Sequence, residues 1–172
     1  MRIVVMSDSH GRVDRVKQVI EQQSDAELFI FLGDGTKDFH QAMRGVPKED
    51  WCVCGNCDYS SNDEYTILAY VKDILFYCTH GHQWNVKYDL DQLVNEAIRK
   101  EAKVVLFGHT HEAYYEYRDG IHVLNPGSLG HPRGSLYPTY AVIDIQGLCA
   151  TTFAWRNSIK WKNKPKLSVW MR

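Results

Sequence analysis

The chain lacks the features of a membrane protein and of a disulfide-stabilised one. Its 172 residues contain no apolar run approaching about 18 residues, and no basic-then-apolar leader opens the sequence. Its 5 cysteines are an odd number, and at least two of them lie in apolar runs, so a disulfide framework is not expected. We therefore expect a cytoplasmic protein with free thiols and no membrane partner.

A strong charge of either sign is also missing. The net charge is only −1, so the chain as a whole is not expected to attract nucleic acid or anionic lipid. Residues 156–172 are the exception, because they hold basic residues and no acidic one. Two interpretations of this basic segment remain: an arm that binds nucleic acid with Trp161 and Trp170, or an edge strand or tail whose lysines face water. We favour the second.

Four apolar runs are each followed by residues that can bind a metal. Strands are predicted at residues 3–6, 28–32, 74–78 and 104–107. The residues that follow them are Asp8, His10, Asp34, His80, His82, His109 and His111. His109 and His111 are two residues apart, so we expect them to point the same way from an extended backbone into one small volume.

The order of the elements predicts one α/β domain over residues 1–172. The first strand is followed by a helical pattern at residues 13–20 and a second strand, which indicates a parallel pair with a right-handed crossover. Residues 64–78 resemble a hairpin, and residues 87–100 form an amphipathic helical pattern. After His111, hairpins follow one another. Helices therefore alternate with strands first, and β-structure dominates later.

Seven side chains at the predicted strand ends form a set of metal ligands: Asp8, His10, Asp34, Asn56, His80, His109 and His111. Carboxyl ends of strands form the binding crevice in open α/β sheets, and seven ligands suffice for two metals. The set is rich in nitrogen, which favours manganese, iron, zinc, nickel or cobalt over magnesium or calcium. Two divalent cations, two carboxylates and a bridging hydroxide leave a positive site that suits a phosphate ester.

Five motifs in this order resemble those of the calcineurin-like metallophosphoesterase superfamily. They are Asp8-Ser9-His10, Gly33-Asp34, Gly55-Asn56-Cys57-Asp58, His80-Gly81-His82 and Gly108-His109-Thr110-His111. The short length and the run from Asn125 to Arg133 resemble the small bacterial and archaeal phosphodiesterases of the YfcE and MJ0936 type. The resemblance implies a four-layer αββα sandwich of two mixed β-sheets flanked by helices.

The resemblance also implies how the metals would be held. Asp8, His10, Asp34 and His111 would bind one metal, and Asp34, Asn56, His80 and His109 the other, with Asp34 as the bridge. The expected reaction is hydrolysis of a phosphate ester by in-line attack of a metal-bridging hydroxide. A phosphodiester is the favoured substrate class. Manganese is the expected metal, with nickel, zinc, iron or cobalt as alternatives.

Other residues near the motifs are candidates for substrate binding and proton transfer. Asn56 is expected to touch the phosphate, and Arg12 either binds a phosphate oxygen or is a solvated residue of the first helical turn. Cys57 stands where many superfamily members carry a His, and a thiol is a weaker proton donor to the leaving group. His82, or less readily His131, is the candidate acid in its place, unless it orients a metal ligand. We assign Asp38 no metal role.

Two alternatives remain open at this level. The chain could instead be a scaffold of the same fold that binds protein partners, as the eukaryotic retromer subunit does. Cys52, Cys54 and Cys57 could form a thiolate zinc site, although a second cysteine pair is missing and ordinary strand residues are the favoured interpretation. The expected partner is a small phosphate-ester substrate, and the tyrosine-rich edge hairpins are compatible with a homodimer.

Overall fold

The computed structural model describes residues 1–146, 150–157 and 168–169, and side chains up to residue 145. In this part the chain forms eleven strands, three α-helices and a short 3-10 helix, His82–Trp84. Strands β1 to β11 are Arg2–Met6, Leu28–Phe31, Glu49–Cys52, Thr66–Val71, Ile74–Thr79, Val104–Leu106, Ala113–Arg118, Ile121–Pro126, Thr139–Gln146, Ala150–Asn157 and Ser168–Val169. Helices α1 to α3 are Val13–Gln22, Thr36–Met43 and Asp91–Arg99.

The strands form two mixed sheets. The first has the order β11-β10-β9-β1-β2-β3, in which β1, β2 and β3 are parallel and β9 runs antiparallel to β1. The second has the order β4-β5-β6-β8-β7, with parallel β5, β6 and β8 in the middle and antiparallel edge strands. The predicted parallel pair of β1 and β2 is present, with Val5 opposite Ile30.

Three apolar clusters separate four layers. Strand β1 is buried on both faces, because Ile3 and Val5 face the second sheet whereas Val4 and Met6 face α1 and α2. Helix α3 covers the outer face of the second sheet through Leu93 and neighbours. Burial of each such side chain contributes about 1.5–3 kcal/mol. The predicted αββα sandwich of two mixed sheets flanked by helices is confirmed.

The carboxyl ends of β1, β2, β5 and β6 meet at one edge of the two sheets. The loops after these strands are joined by backbone hydrogen bonds, from Asp8 N to Gly33 O at 2.9 Å and from Gly108 N to His80 O at 3.0 Å. The loops of the two sheets also contact each other, because His109 N donates to Asp8 Oδ2 at 3.1 Å and His80 Nδ1 lies 2.6 Å from the carbonyl oxygen of Leu32.

The basic segment lies mostly outside the described residues. Ser168–Val169 pair antiparallel with β10 at the edge of the first sheet. Trp161, Trp170 and the lysines at 160, 162, 164 and 166 lie outside the described residues. The helices in the described part of the chain are all too short or too polar to cross a membrane.

Candidate metal centre

The backbone turns sharply at five of the seven predicted ligands. Asp8, His10, Asp34, His109 and His111 have φ angles of 54°, 46°, 57°, 67° and 63°. Residues other than glycine rarely adopt this left-handed conformation, which concentrates at functional sites. The expectation that His109 and His111 point the same way from an extended backbone is wrong, because β6 ends at Leu106 and the chain turns between the two histidines.

The first cluster contains Asp8, His10, Asp34 and His111, whose ligand atoms lie within 4.8 Å of one another. The Nε2 atoms of His10 and His111 are 3.1 Å apart, and His111 Nε2 is 3.1 Å from Asp8 Oδ1. His111 Nδ1 lies 2.8 Å from the carbonyl oxygen of His131, so Nδ1 carries the proton and Nε2 presents a lone pair. Among the described residues, buried Asp8 Oδ1 has no hydrogen-bond partner. A cation would satisfy these facing acceptors.

The second cluster contains Asp34, His80 and His109, again within 4.8 Å. His80 Nδ1 donates to the carbonyl oxygen of Leu32 at 2.6 Å, which leaves the lone pair of Nε2 facing the cluster. This atom is 3.2 Å from Asn56 Oδ1 and 3.5 Å from Asp34 Oδ2. His109 and His111 therefore serve different clusters.

Asp34 belongs to both clusters. Its Oδ2 atom lies 3.9 Å from His10 Nε2 and 3.5 Å from His80 Nε2, while Oδ1 accepts the Cys57 N–H at 2.7 Å. One carboxylate oxygen between two groups of imidazoles is the arrangement of a ligand shared by two cations. The imidazole, carboxylate and amide donors fit divalent metal ions.

The pKa values in the centre reflect burial and its negative charge. Although burial favours the neutral acid, the His80 imidazole 3.5 Å away holds the pKa of Asp34 well below its usual range. Burial alone would lower the pKa of His80, but Asp34 raises it. The neighbouring carboxylate of Asp8 raises the pKa of His111. Burial, followed by repulsion from His80, lowers the pKa of His109 to about 4, which keeps this imidazole neutral near pH 7.

Asp58 fixes the positions of two ligand loops, a role that sequence reasoning did not assign. Its carboxylate accepts the backbone N–H groups of Asp34, Gly35, Thr36 and Gly55 at 2.7–3.0 Å. Asp38, which was predicted to have no metal role, accepts from Ser9 Oγ and Gly11 N instead. Asp58 is the last residue of the motif Gly55-Asn56-Cys57-Asp58, so its place in the motif was the available indication of a role.

Two further positioning residues come from the run that begins at Asn125. Buried Asn125 donates to the carbonyl oxygen of Gly108 at 2.7 Å and to Thr110 Oγ1 at 3.0 Å, which fixes the turn between the two histidine ligands. Ser128 Oγ donates to the Asp8 carbonyl oxygen at 2.8 Å. The run from Asn125 to Arg133 contributed to the family resemblance, but no role was predicted for these two side chains.

Only two of the three predicted substrate-binding residues lie at the candidate metal centre. Asn56 and Cys57 are exposed at the centre. Burial, followed by Asp34, raises the pKa of the Cys57 thiol to about 11. The guanidinium of Arg12 donates to Asp14 at 2.8 and 3.0 Å, so in this structure it is engaged outside the centre.

His82 and His131 lie on opposite sides of the centre. The His82 ring centroid is 5.4 Å from that of His80 and 6.2 Å from that of His109. His82 also lines a hollow with Asn56, and its buried Nδ1 atom has no hydrogen-bond partner among the described residues. His131 has its ring centroid 5.4 Å from that of His10 and accepts from His111 through its carbonyl oxygen.

Comparisons with known proteins identify the family of the chain. The profile of the calcineurin-like phosphoesterase superfamily domain matches residues 1–148. The probable metallophosphoesterase YsnB of Bacillus subtilis is 31% identical over 155 residues, 88% of each chain. The phosphodiesterase MJ0936 of Methanocaldococcus jannaschii is 29% identical over 164 residues, covering 85% of this chain and 94% of its own length.

A solved structure of similar shape is wild-type Vps29 from Entamoeba histolytica, described as complexed with Zn²⁺. It is 19% identical, covers 98% of this chain and 99% of its own, and has a TM-score of 0.76, which supports the fold alone. Because the superfamily profile spans most of the sequence, including all seven predicted ligands, the chain belongs to the calcineurin-like phosphoesterase superfamily.

Proposed function

We propose that this chain hydrolyses a phosphate ester, with a small phosphodiester as the expected substrate, at two divalent cations held by the seven predicted ligands. The observation that carries this proposal is the position of Asp34 in both clusters. When bound, two such cations polarise a phosphate and acidify water, which supplies the chemistry of phosphoester cleavage. Manganese is the proposed metal, with nickel, zinc, iron and cobalt as alternatives.

The side chains around the centre would divide the remaining work. Asp8 and Asp34 supply the negative charge that holds the cations, and neutral His109 supplies a nitrogen lone pair. Exposed Asn56 can donate its amide to a phosphate oxygen while its Oδ1 atom faces His80. Arg12 would reach the phosphate only if its guanidinium left Asp14, and exposed Cys57, whose N–H binds Asp34, would lie near the leaving group.

A scaffold that binds protein partners is the alternative. The likeness to Vps29 favours this alternative only at the level of fold. Since that Vps29 structure is itself described as complexed with Zn²⁺, metal binding alone does not separate an enzyme from a scaffold. The presence of all seven ligand residues favours catalysis, so turnover is the decisive measurement.

The test is hydrolysis of bis-p-nitrophenyl phosphate with Mn²⁺. We expect Asp34→Asn and His109→Ala to lose turnover by at least about a hundredfold while they keep the circular dichroism spectrum of the unmodified protein. Asp119→Asn is the matched control, because this exposed carboxylate lies in the turn between β7 and β8, where it pairs with Arg118. A folded, metal-loaded protein without turnover on mono- or diesters would favour the scaffold.

Other expectations remain proposals. The four described cysteines at positions 52, 54, 57 and 78 are free thiols, which supports a reducing compartment such as the cytoplasm. We also keep one domain over residues 1–172, a homodimer and the absence of a nucleic-acid partner as proposals. Size-exclusion chromatography with light scattering tests the dimer.

A further inference from the structure

A third group of metal-binding side chains lies outside the candidate metal centre. It contains His40, Cys52 and Asp63, with one ligand atom from each within 4.8 Å of the others. His40 is on α2, Cys52 is the last residue of β3, and Asp63 lies in the loop before β4. The proposed hydrolysis gives none of them a role.

The contacts within this group leave a thiol and a carboxylate together. His40 Nε2 lies 2.8 Å from Asp63 Oδ2 and 3.0 Å from Oδ1, and Ser61 Oγ donates to Oδ2. Cys52 is buried on the side of the sheet that faces α1 and α2. Burial, followed by nearby carboxylates that include Asp63, raises the pKa of its thiol. Bound by a cation, the thiol would lose its proton to solvent.

We propose that His40, Cys52 and Asp63 bind one divalent transition-metal cation, with zinc as the best match. Sulfur, imidazole nitrogen and carboxylate oxygen are the zinc ligands in proteins, at about 2.3, 2.0 and 2.1 Å. A thiolate and a carboxylate balance the charge of a divalent ion, and neutral His40 adds none. Half-exposed His40 leaves a path from solvent and room for water as a fourth ligand.

This cation would anchor the loop that carries part of the candidate metal centre. Cys52 precedes and Asp63 ends the segment that contains Asn56, Cys57 and Asp58. His40 lies on α2, which begins two residues after Asp34. One bound cation would therefore fix both ends of the loop to α2, and binding to the folded state alone would raise the free energy of unfolding.

The test uses Co²⁺ as a spectroscopic substitute for zinc in the full chain. A cobalt ion bound by a thiolate has a charge-transfer band in the near ultraviolet, whereas imidazole and carboxylate ligands give none there. We expect the unmodified protein to show this band and Cys52→Ser to lose it. Elemental analysis should show that Cys52→Ser binds one cation per chain fewer than the unmodified protein. Cys57→Ser is the matched control, because it removes the exposed thiol beside the candidate metal centre and should keep the band.

Two further variants test the site without replacing the buried Cys52, so the test does not depend on the folding of Cys52→Ser. His40→Gln and Asp63→Asn retain the thiol, and each should weaken cobalt binding at the band by at least about tenfold. If the proposed hydrolysis is wrong, the unmodified protein shows no turnover, but the cobalt band is unaffected. The proposal is overturned if the band never forms, persists in Cys52→Ser, disappears in Cys57→Ser, or keeps its affinity in both His40→Gln and Asp63→Asn.

Discussion

The carboxylate of Asp58 accepts the backbone N–H of Asp34 at 2.7 Å, so a residue that is not a proposed ligand holds the ligand shared by both clusters. The same carboxylate accepts the N–H groups of Gly35 and Thr36, which begin α2, and that of Gly55, which precedes Asn56. Donors at the start of a helix favour a negative charge. Asp58 thereby ties the loop after β2 to the loop after β3.

Asp58→Asn should destabilise the fold and loosen the candidate metal centre. The amide keeps the size of the side chain but loses the charge and one acceptor, so about 2–4 kcal/mol of unfolding free energy should be lost. Urea unfolding measures this loss, and metal affinity should fall by about 10–100-fold. Asp14→Asn should cost less than about 1 kcal/mol. Equal losses in the two variants would contradict the role of Asp58.

The fold was predictable because its signals are local and repeated. The alternation of apolar runs with the amphipathic patterns of α1 and α3 predicted both the parallel strands and their flanking helices. Burial of β1 on both faces explains why its run is uninterrupted. Element ends shifted by about one residue, as for β6, which was predicted at residues 104–107 and lies at Val104–Leu106.

The candidate metal centre was predictable in its members but not in its geometry. Polar residues after apolar runs pointed to the seven side chains, since carboxyl ends of parallel strands share one edge. The left-handed φ at His109 and His111 could not be predicted from residue type, because histidine, although enriched in this conformation, adopts it only in a small minority of cases. Tertiary contacts such as Asn125 to Gly108 impose it, and they join residues distant in sequence.

Gly55→Ala should disturb the candidate metal centre through direct contact. A Cβ atom at this position would lie 2.2 Å from Asp34 Oδ1 and 2.4 Å from Asp34 N, so the backbone of one of the two loops must move. Calorimetric titration with Mn²⁺ should show at least about tenfold weaker binding. Gly120→Ala is a stringent control. Its φ of +80° strains an alanine, but an added Cβ atom would have no heavy atom within 4 Å. It should lose stability but keep metal affinity, and a matching loss of affinity would refute the contact argument.

Cys57 should limit which esters are cleaved well. Its thiol is a weak donor to a departing oxygen, and its raised pKa of about 11 strengthens this limit. Aryl diesters such as nitrophenyl esters should therefore react at least about a hundredfold faster than alkyl diesters of matched binding. Cys57→His should narrow this ratio, and Cys57→Ser should not. Equal kcat values for both ester types in the unmodified protein would count against the prediction.

His82 should act as the proton donor to the leaving group if its ring reaches the substrate. Its removal in His82→Ala would then slow alkyl esters by about a hundredfold and nitrophenyl esters much less, since the latter need no acid. A ring that only orients His80 or His109, whose rings are its neighbours, would instead weaken metal binding and slow both esters equally. Parallel kcat and Mn²⁺ titrations on both esters separate the two roles.

His122 should make the fold less stable in acid. Tyr115 Oη lies 3.0 Å from its Nδ1 atom, and burial lowers the pKa of His122 below the value of about 6.5 in the unfolded chain. The unfolded state therefore binds more protons between the folded pKa and about 6.5, so stability rises with pH in that window. It is fully present above about pH 6.5 and falls as the pH drops toward the folded pKa.

Urea unfolding at about pH 5 and about pH 7.5 isolates this contribution when the unmodified protein is compared with His122→Asn. The asparagine oxygen can still accept from Tyr115 but does not titrate, so the loss of unfolding free energy on acidification should be smaller in the variant. The histidines of the candidate metal centre contribute equally to both proteins and cancel in the difference. If acidification destabilises the two proteins by the same amount, the neutral, half-buried state of His122 is not a source of the pH dependence.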